Sequence, residues 1–140
     1  MAYPPLVKLN SATEYRQHFE NIYCRRPIAA FDGIQVRFRK RDFNHCFFET
    51  VSDKDDTFSF KRAERMDWIK AALQDPNSDR FVGWNAKKKQ HDQNRRVTLV
   101  KDNFVVVIAL TGSQKADFIT AFVADSERTL QKIRSSPRWV

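Results

Sequence analysis

Cross-linking and punctuating residues are scarce: the 140 residues contain two cysteines, three glycines and five prolines. Cys24 and Cys46 make neither a disulfide framework nor a pair with zinc-ligand spacing, so a reducing, cytoplasmic setting is expected. With so little glycine there is no GxxxxGK[ST] loop to cradle a nucleotide, and no GxSxG elbow occurs. The longest apolar run, Phe104 to Leu110, is far short of the ~20 residues that span a bilayer, so no membrane role is expected. The opening stretch MAYPPLVKLN lacks the apolar core of a secretory signal. The acidic stretch Asp53-Lys54-Asp55-Asp56 lies in a polar loop and does not suggest a two-metal centre. Asp53, Asp55 and Asp56 would attract a cation only weakly, and no metal or other cofactor is expected.

Positive charge is abundant. Lys and Arg number 25 against 17 Asp and Glu, a formal charge of +8, which favours a polyanionic partner. Hydrophobic residues make up 41%, enough for a core and too many for general disorder. Residues 1–10 read as an arm kept extended by Pro4 and Pro5, and residues 11–140 as one domain. Ser11 and Glu14 form a capping box, and Tyr15, Phe19, Ile22 and Tyr23 follow at helical spacing until Pro27. A strand alternates through Ile34, Val36 and Phe38, then runs into Arg39, Lys40 and Arg41 and an aromatic turn around His45. Phe60 to Leu73 reads as one helix burying Met66, Ile69 and Leu73, ended by Asp75-Pro76-Asn77. Strands follow at Phe81 to Trp84, Arg95 to Val100, Phe104 to Leu110 and Ala116 to Val123, the middle two joined as a hairpin. A helix capped at Asp125 or Ser126 runs to about Arg134. This order predicts an α+β fold, with helices on one face of a mainly antiparallel four-stranded sheet. The other face is left for a ligand.

His45 is the leading candidate for proton transfer, because an imidazole titrates near neutral pH and is flanked here by cations that attract phosphate. The bland alternative is a structural histidine in an aromatic turn. Arg95 and Arg96 open a strand, where a rigid backbone suits a guanidinium to clamping phosphate, unless they are ordinary edge charges. Thr120 lies between Phe118 and Phe122, where a hydroxyl can orient a phosphate or simply favour a strand. Lys40 is a candidate for stabilising transition-state charge. Arg39, Arg41, Arg65, Lys87, Lys88, Lys89 and His91 are candidates for diffuse contact with an RNA backbone. Trp84 and Phe43 are candidate stacking platforms, with core packing the plainer role for Trp84.

Taken in order, RFRKRDFNHCFFE, RAERMDWIKAALQDP, RRVTLV, FVVVIALTG and FITAFVAD resemble the barnase–EndoU–colicin–RelE group of metal-independent ribonucleases, in its phage- and toxin-associated branches. The resemblance covers about residues 31 to 134. It implies an endoribonuclease acting as a toxin or phage-conflict effector, with messenger RNA, transfer RNA and ribosome-bound RNA all open as targets and an acidic antitoxin or immunity protein as a candidate partner. By position it implies a site of His45, Arg95 or Arg96, and Thr120 on the sheet face. This chain departs from the pattern in lacking a glutamate on the sheet where barnase-type enzymes carry a carboxylate base. The rival expectation is a non-catalytic module of the same fold that binds nucleic acid or a protein partner. A phage structural or packaging domain is a third.

Overall fold

The computed structural model describes residues 3–54, 56–85, 89–91, 96–124 and 126–138. The first helix, α1 (Ala12–Phe19), starts at Ser11, whose hydroxyl accepts the Glu14 amide at 3.2 Å. It continues as a π-helical turn over Glu20–Cys24, so Tyr15, Phe19 and Tyr23 all reach the core. Strands β1 (Ile28–Ala29) and β2 (Gln35–Arg37) follow, joined by a turn at Gly33. Gly33 has φ of +89°, a left-handed conformation that a side chain would strain.

The segment read as an aromatic turn is a helix, α2 (Asp42–Phe47). The Asp42 carboxylate accepts the Arg39 amide at 2.8 Å and closes the first turn. Phe43, Cys46 and Phe47, three and four apart, then bury one side. Short strands β3 (Phe48–Glu49) and β4 (Thr57–Phe58) pair with each other. Between them the Asp56 carboxylate accepts the amides of Val51, Ser52 and Asp53, which holds its acid far below the usual range.

The single helix expected over Phe60 to Leu73 is two, α3 (Phe60–Ala63) and α4 (Asp67–Gln74). Between them the backbone tightens to three-residue bonds, with Arg65 N donating to Arg62 O at 3.2 Å and Met66 N to Ala63 O at 3.0 Å. The Glu64 carbonyl accepts the Val7 amide at 2.8 Å, which ties the N-terminal arm to this break. Met66, Ile69 and Leu73 are buried together, as their spacing predicts.

Strands β5 (Asp79–Val82), β6 (Trp84–Asn85), β7 (Gln90–His91), β8 (Arg96–Lys101), β9 (Phe104–Gly112) and β10 (Lys115–Val123) lead to α5 (Glu127–Arg134), capped by Ser126. The protein is α+β, as expected, but the sheet has six strands in the order β1-β2-β10-β9-β8-β5. It is mixed, because β2 runs parallel to β10 while the other pairs are antiparallel. Two further two-stranded sheets are β3-β4 and β6-β7.

The expectation that all helices share one face is also corrected. The main core lies between α1, α2, α4 and one sheet face, and takes in Val106 and Ile108. The alternate residues Val105 and Val107 join Phe81, Val100 and Phe122 under Leu130 and Ile133 of α5, on the opposite face. Strand β9 is therefore apolar on both sides and central, as its sequence predicts. No helix among the described residues is long and apolar enough to cross a membrane.

Candidate functional site

Strand β10 is the spine of the candidate site. Its ladder with β9 slips by one residue between Phe118, opposite Ile108, and Thr120, opposite Val107. The extra residue, Ile119, breaks the alternation, so Phe118 lies in the main core while Phe122 packs in the second cluster. The sequence expectation that Phe118, Thr120 and Phe122 share one face is overturned by this bulge. Thr120 is instead within hydrogen-bonding reach of the Cys46 thiol, and that thiol donates to the Ala121 carbonyl at 3.5 Å. Helix α2 is thereby docked on β10 beside Thr120. Burial pushes the Cys46 thiol up to about 12, which makes it a packing group and not a nucleophile.

His45, next in the chain to Cys46, stands on the exposed side of α2. It is near enough to Asp42 for its charge to act on that carboxyl. Burial pushes the Asp42 acid up, opposed by the Arg39 amide bond and by the charges of Arg39, Arg41 and His45. Cys46 thus links α2 to Thr120, while His45 stands on the exposed side of that helix, and neither His45 nor Thr120 lines the cleft that opens beyond Ala121.

Beyond Ala121 a cleft of about 320 Å³ opens between α3, α4, the end of β10 and α5. Its apolar walls include Phe47, Ile69, Phe104, Phe122 and Val123; among the described residues Lys61, Arg62 and Arg65 supply three cations and Glu49 a carboxylate. Arg62 is steadied from β3: its Nη1 donates to the Phe48 carbonyl at 3.3 Å and its Nε lies 3.6 Å from Glu49 Oε1. Arg65 Nη1 donates to the Lys61 carbonyl at 2.6 Å and to Glu64 at 3.1 Å, with its guanidinium over the Trp68 ring. These bonds hold two guanidinium groups in place before any ligand arrives.

The remaining candidates are spread out. Arg39 is paired with Asp117 at 3.1 Å, and Arg37 joins the same carboxylate at 3.1 Å. Burial raises the Asp117 acid, but the Arg37 bond and the Arg39 charge outweigh it and leave the group below its usual range. Lys40 lies 4.0 Å from Glu20 and is largely exposed, and neither it nor the exposed Arg41 lines the cleft. Lys89 is exposed, with φ of +52°. Arg96 sits opposite Ala109 in the ladder, and His91 opposite Trp84. Lys87, Lys88 and Arg95, and the side chains of Trp84, His91 and Arg96, lie outside the described residues. Phe43 is fully buried, which removes it as a stacking platform.

Sequence reasoning gave no role to Lys61, Arg62 or Glu49. A signal was available, since Lys61 and Arg65 are four apart and Arg62 lies between them. Glu49 carried no such signal, because its place at the mouth depends on the β3–β4 pairing. Among the described residues no group of three or more His, Cys, Asp or Glu is arranged to hold a metal ion. Compared with known proteins, the chain matches no family model, no curated protein and no solved structure.

Proposed function

We propose that the protein is a metal-independent endoribonuclease, a toxin or phage-conflict effector of the barnase–EndoU–colicin–RelE type. The observation that carries this reading is the cleft. Three cations converge on apolar walls at the end of β10, next to Thr120 and to the helix that bears His45. A phosphodiester in RNA carries its own nucleophile, so the protein needs only to move protons and stabilise charge.

In the proposed reaction the 2′-oxygen attacks the adjacent phosphorus and loses its proton, while the 5′-oxygen leaves and gains one. The products are a 2′,3′-cyclic phosphate and a 5′-hydroxyl. His45 carries the proton transfer, a contribution of roughly 10²–10⁴-fold. Lys61, Arg62 and Arg65 take the charge-stabilising part assigned from sequence to Arg95, Arg96 and Lys40, each worth roughly 3 kcal/mol when well aimed. Thr120 orients the scissile phosphate. Arg39 and Lys40 lie outside the cleft and are paired with Asp117 and Glu20, so they take no part in the charge stabilisation.

Matched RNA and DNA strands in EDTA test the reading. RNA is cut, and DNA is bound but left intact because it lacks the 2′-hydroxyl. Cleavage of DNA, or activity lost to EDTA, overturns the mechanism. Salt-sensitive binding of both without cleavage favours the non-catalytic binding module.

A further inference from the structure

We propose that the cleft at the end of β10 takes one unpaired nucleotide, its base against the apolar walls and its phosphate on the cationic mouth. The proposal rests on the ribonuclease reading for its substrate class, and goes further by fixing the form in which the strand must arrive. A site that held only phosphate would need cations and backbone donors but no apolar depth. This cleft is lined as well by Ile69, Phe104, Phe122 and Val123, which come from α4, β9 and β10, alongside Lys61, Arg62 and Arg65. Its volume of about 320 Å³ is at the low end for small-ligand pockets, suited to one nucleotide unit and closed to a stacked helix.

Phe122 and Val123 are the half-buried members of the wall, while Ile69 and Phe104 are buried, so those two are the apolar side chains that a base in the cleft would meet. The bulge at Ile119 sets Phe122 on the sheet face opposite Phe118, in the cluster under α5, at the end of β10 that borders the cleft. Entry requires a base free of its helix, which selects single strands, loops and bulges over duplex.

The test is binding of a short 2′-O-methyl RNA strand, which keeps the ribose shape but has no nucleophile to be cut. It is compared with an abasic strand of equal length and charge, and with the same RNA in a duplex. The base-containing single strand binds roughly tenfold or more tightly than either comparator, the scale expected for base–aromatic stacking. Phe122→Leu, which keeps an apolar side chain of similar bulk, lowers affinity for the base-containing strand and leaves the abasic strand unchanged. Equal affinity for the three ligands, or no binding of the single strand, overturns the proposal. Base-dependent binding without cleavage of natural RNA removes the ribonuclease reading alone. Cleavage with base-independent binding removes this proposal alone.

Discussion

Ile119 shows how much one residue can decide. Strict alternation puts Phe118, Thr120 and Phe122 on a common face, and the sequence contains nothing to say otherwise. The bulge divides them, sending Thr120 to Cys46 and Phe122 to the cleft. Cys46 is fully buried against Ala121, and its thiol is pushed up to about 12 by that burial. It should therefore resist alkylation in the native protein at pH 8 and react only on unfolding. Thiol counting by mass spectrometry, with and without denaturant, checks this; rapid native labelling of Cys46 would mean that α2 is not docked on β10. Lys61 and Arg62 carry a second prediction. Changing both to alanine should weaken RNA binding and flatten its salt dependence by roughly 1.4 in the log–log slope, about 0.7 for each lost phosphate contact. An unchanged slope would move the anion site away from the cleft.

Among the elements, those with long periodic patterns were legible and those set by pairing were not. The hairpin of β8 and β9 and the first and last helices follow from caps and alternation in the chain. Helix α2 was not seen because six residues are too few for the spacing of Phe43, Cys46 and Phe47 to stand out from the surrounding phenylalanines, and its first turn depends on the Asp42 bond to the Arg39 amide. The break between α3 and α4 was hidden because the arm that satisfies the Glu64 carbonyl is distant in sequence. Helix α5 has no fully buried residue and leans on Leu130 and Ile133. Its other anchor is Asp79, which accepts from Arg134 at 2.7 Å and from Arg138 at 3.1 Å. Those two hydrogen bonds hold the Asp79 acid below the usual range. A depressed folded value stabilises at pH above the unfolded aspartate value of about 3.9, and that contribution is lost as pH falls below it. Asp79→Asn should thus cost no more than about 1 kcal/mol at pH 7, the pairs being solvent-exposed, with the gap to wild type closing under acid. Urea melts at several pH values read the difference; a gap that persisted in acid would assign the anchor to packing alone.

The whole molecule is held together by contacts that no local pattern announces. Strand β2 lies parallel to β10 with three helices and seven strands between them in sequence, and the arm reaches back to the β8–β9 end of the sheet. Tyr3 stacks on Trp68 and bonds the Lys101 carbonyl, while Trp68 Nε1 donates to the Pro4 carbonyl at 2.9 Å. Beneath them Lys101 Nζ lies 2.8 Å from Asp75 Oδ2, with both side chains buried. The Lys101 hydrogen bond, with that of the Asn77 amide, lowers the Asp75 acid. Lys101→Met should destabilise strongly by leaving a buried carboxylate uncompensated, and adding Asp75→Asn should recover part of the loss. Denaturant midpoints of the four proteins of that cycle check the coupling; strict additivity would show the pair to be incidental.

The central claim is that RNA is cut at the end of β10 by a reaction in which His45 moves the proton. It is tested most directly by end-group analysis of transfer RNA and a mixed-sequence RNA incubated in EDTA with the wild-type protein and with His45→Ala. The wild type should leave 2′,3′-cyclic phosphate and 5′-hydroxyl ends, and His45→Ala should bind as well while cutting roughly 10²–10⁴-fold more slowly. Equal rates for the two proteins, or products with 5′-phosphate ends, would contradict it.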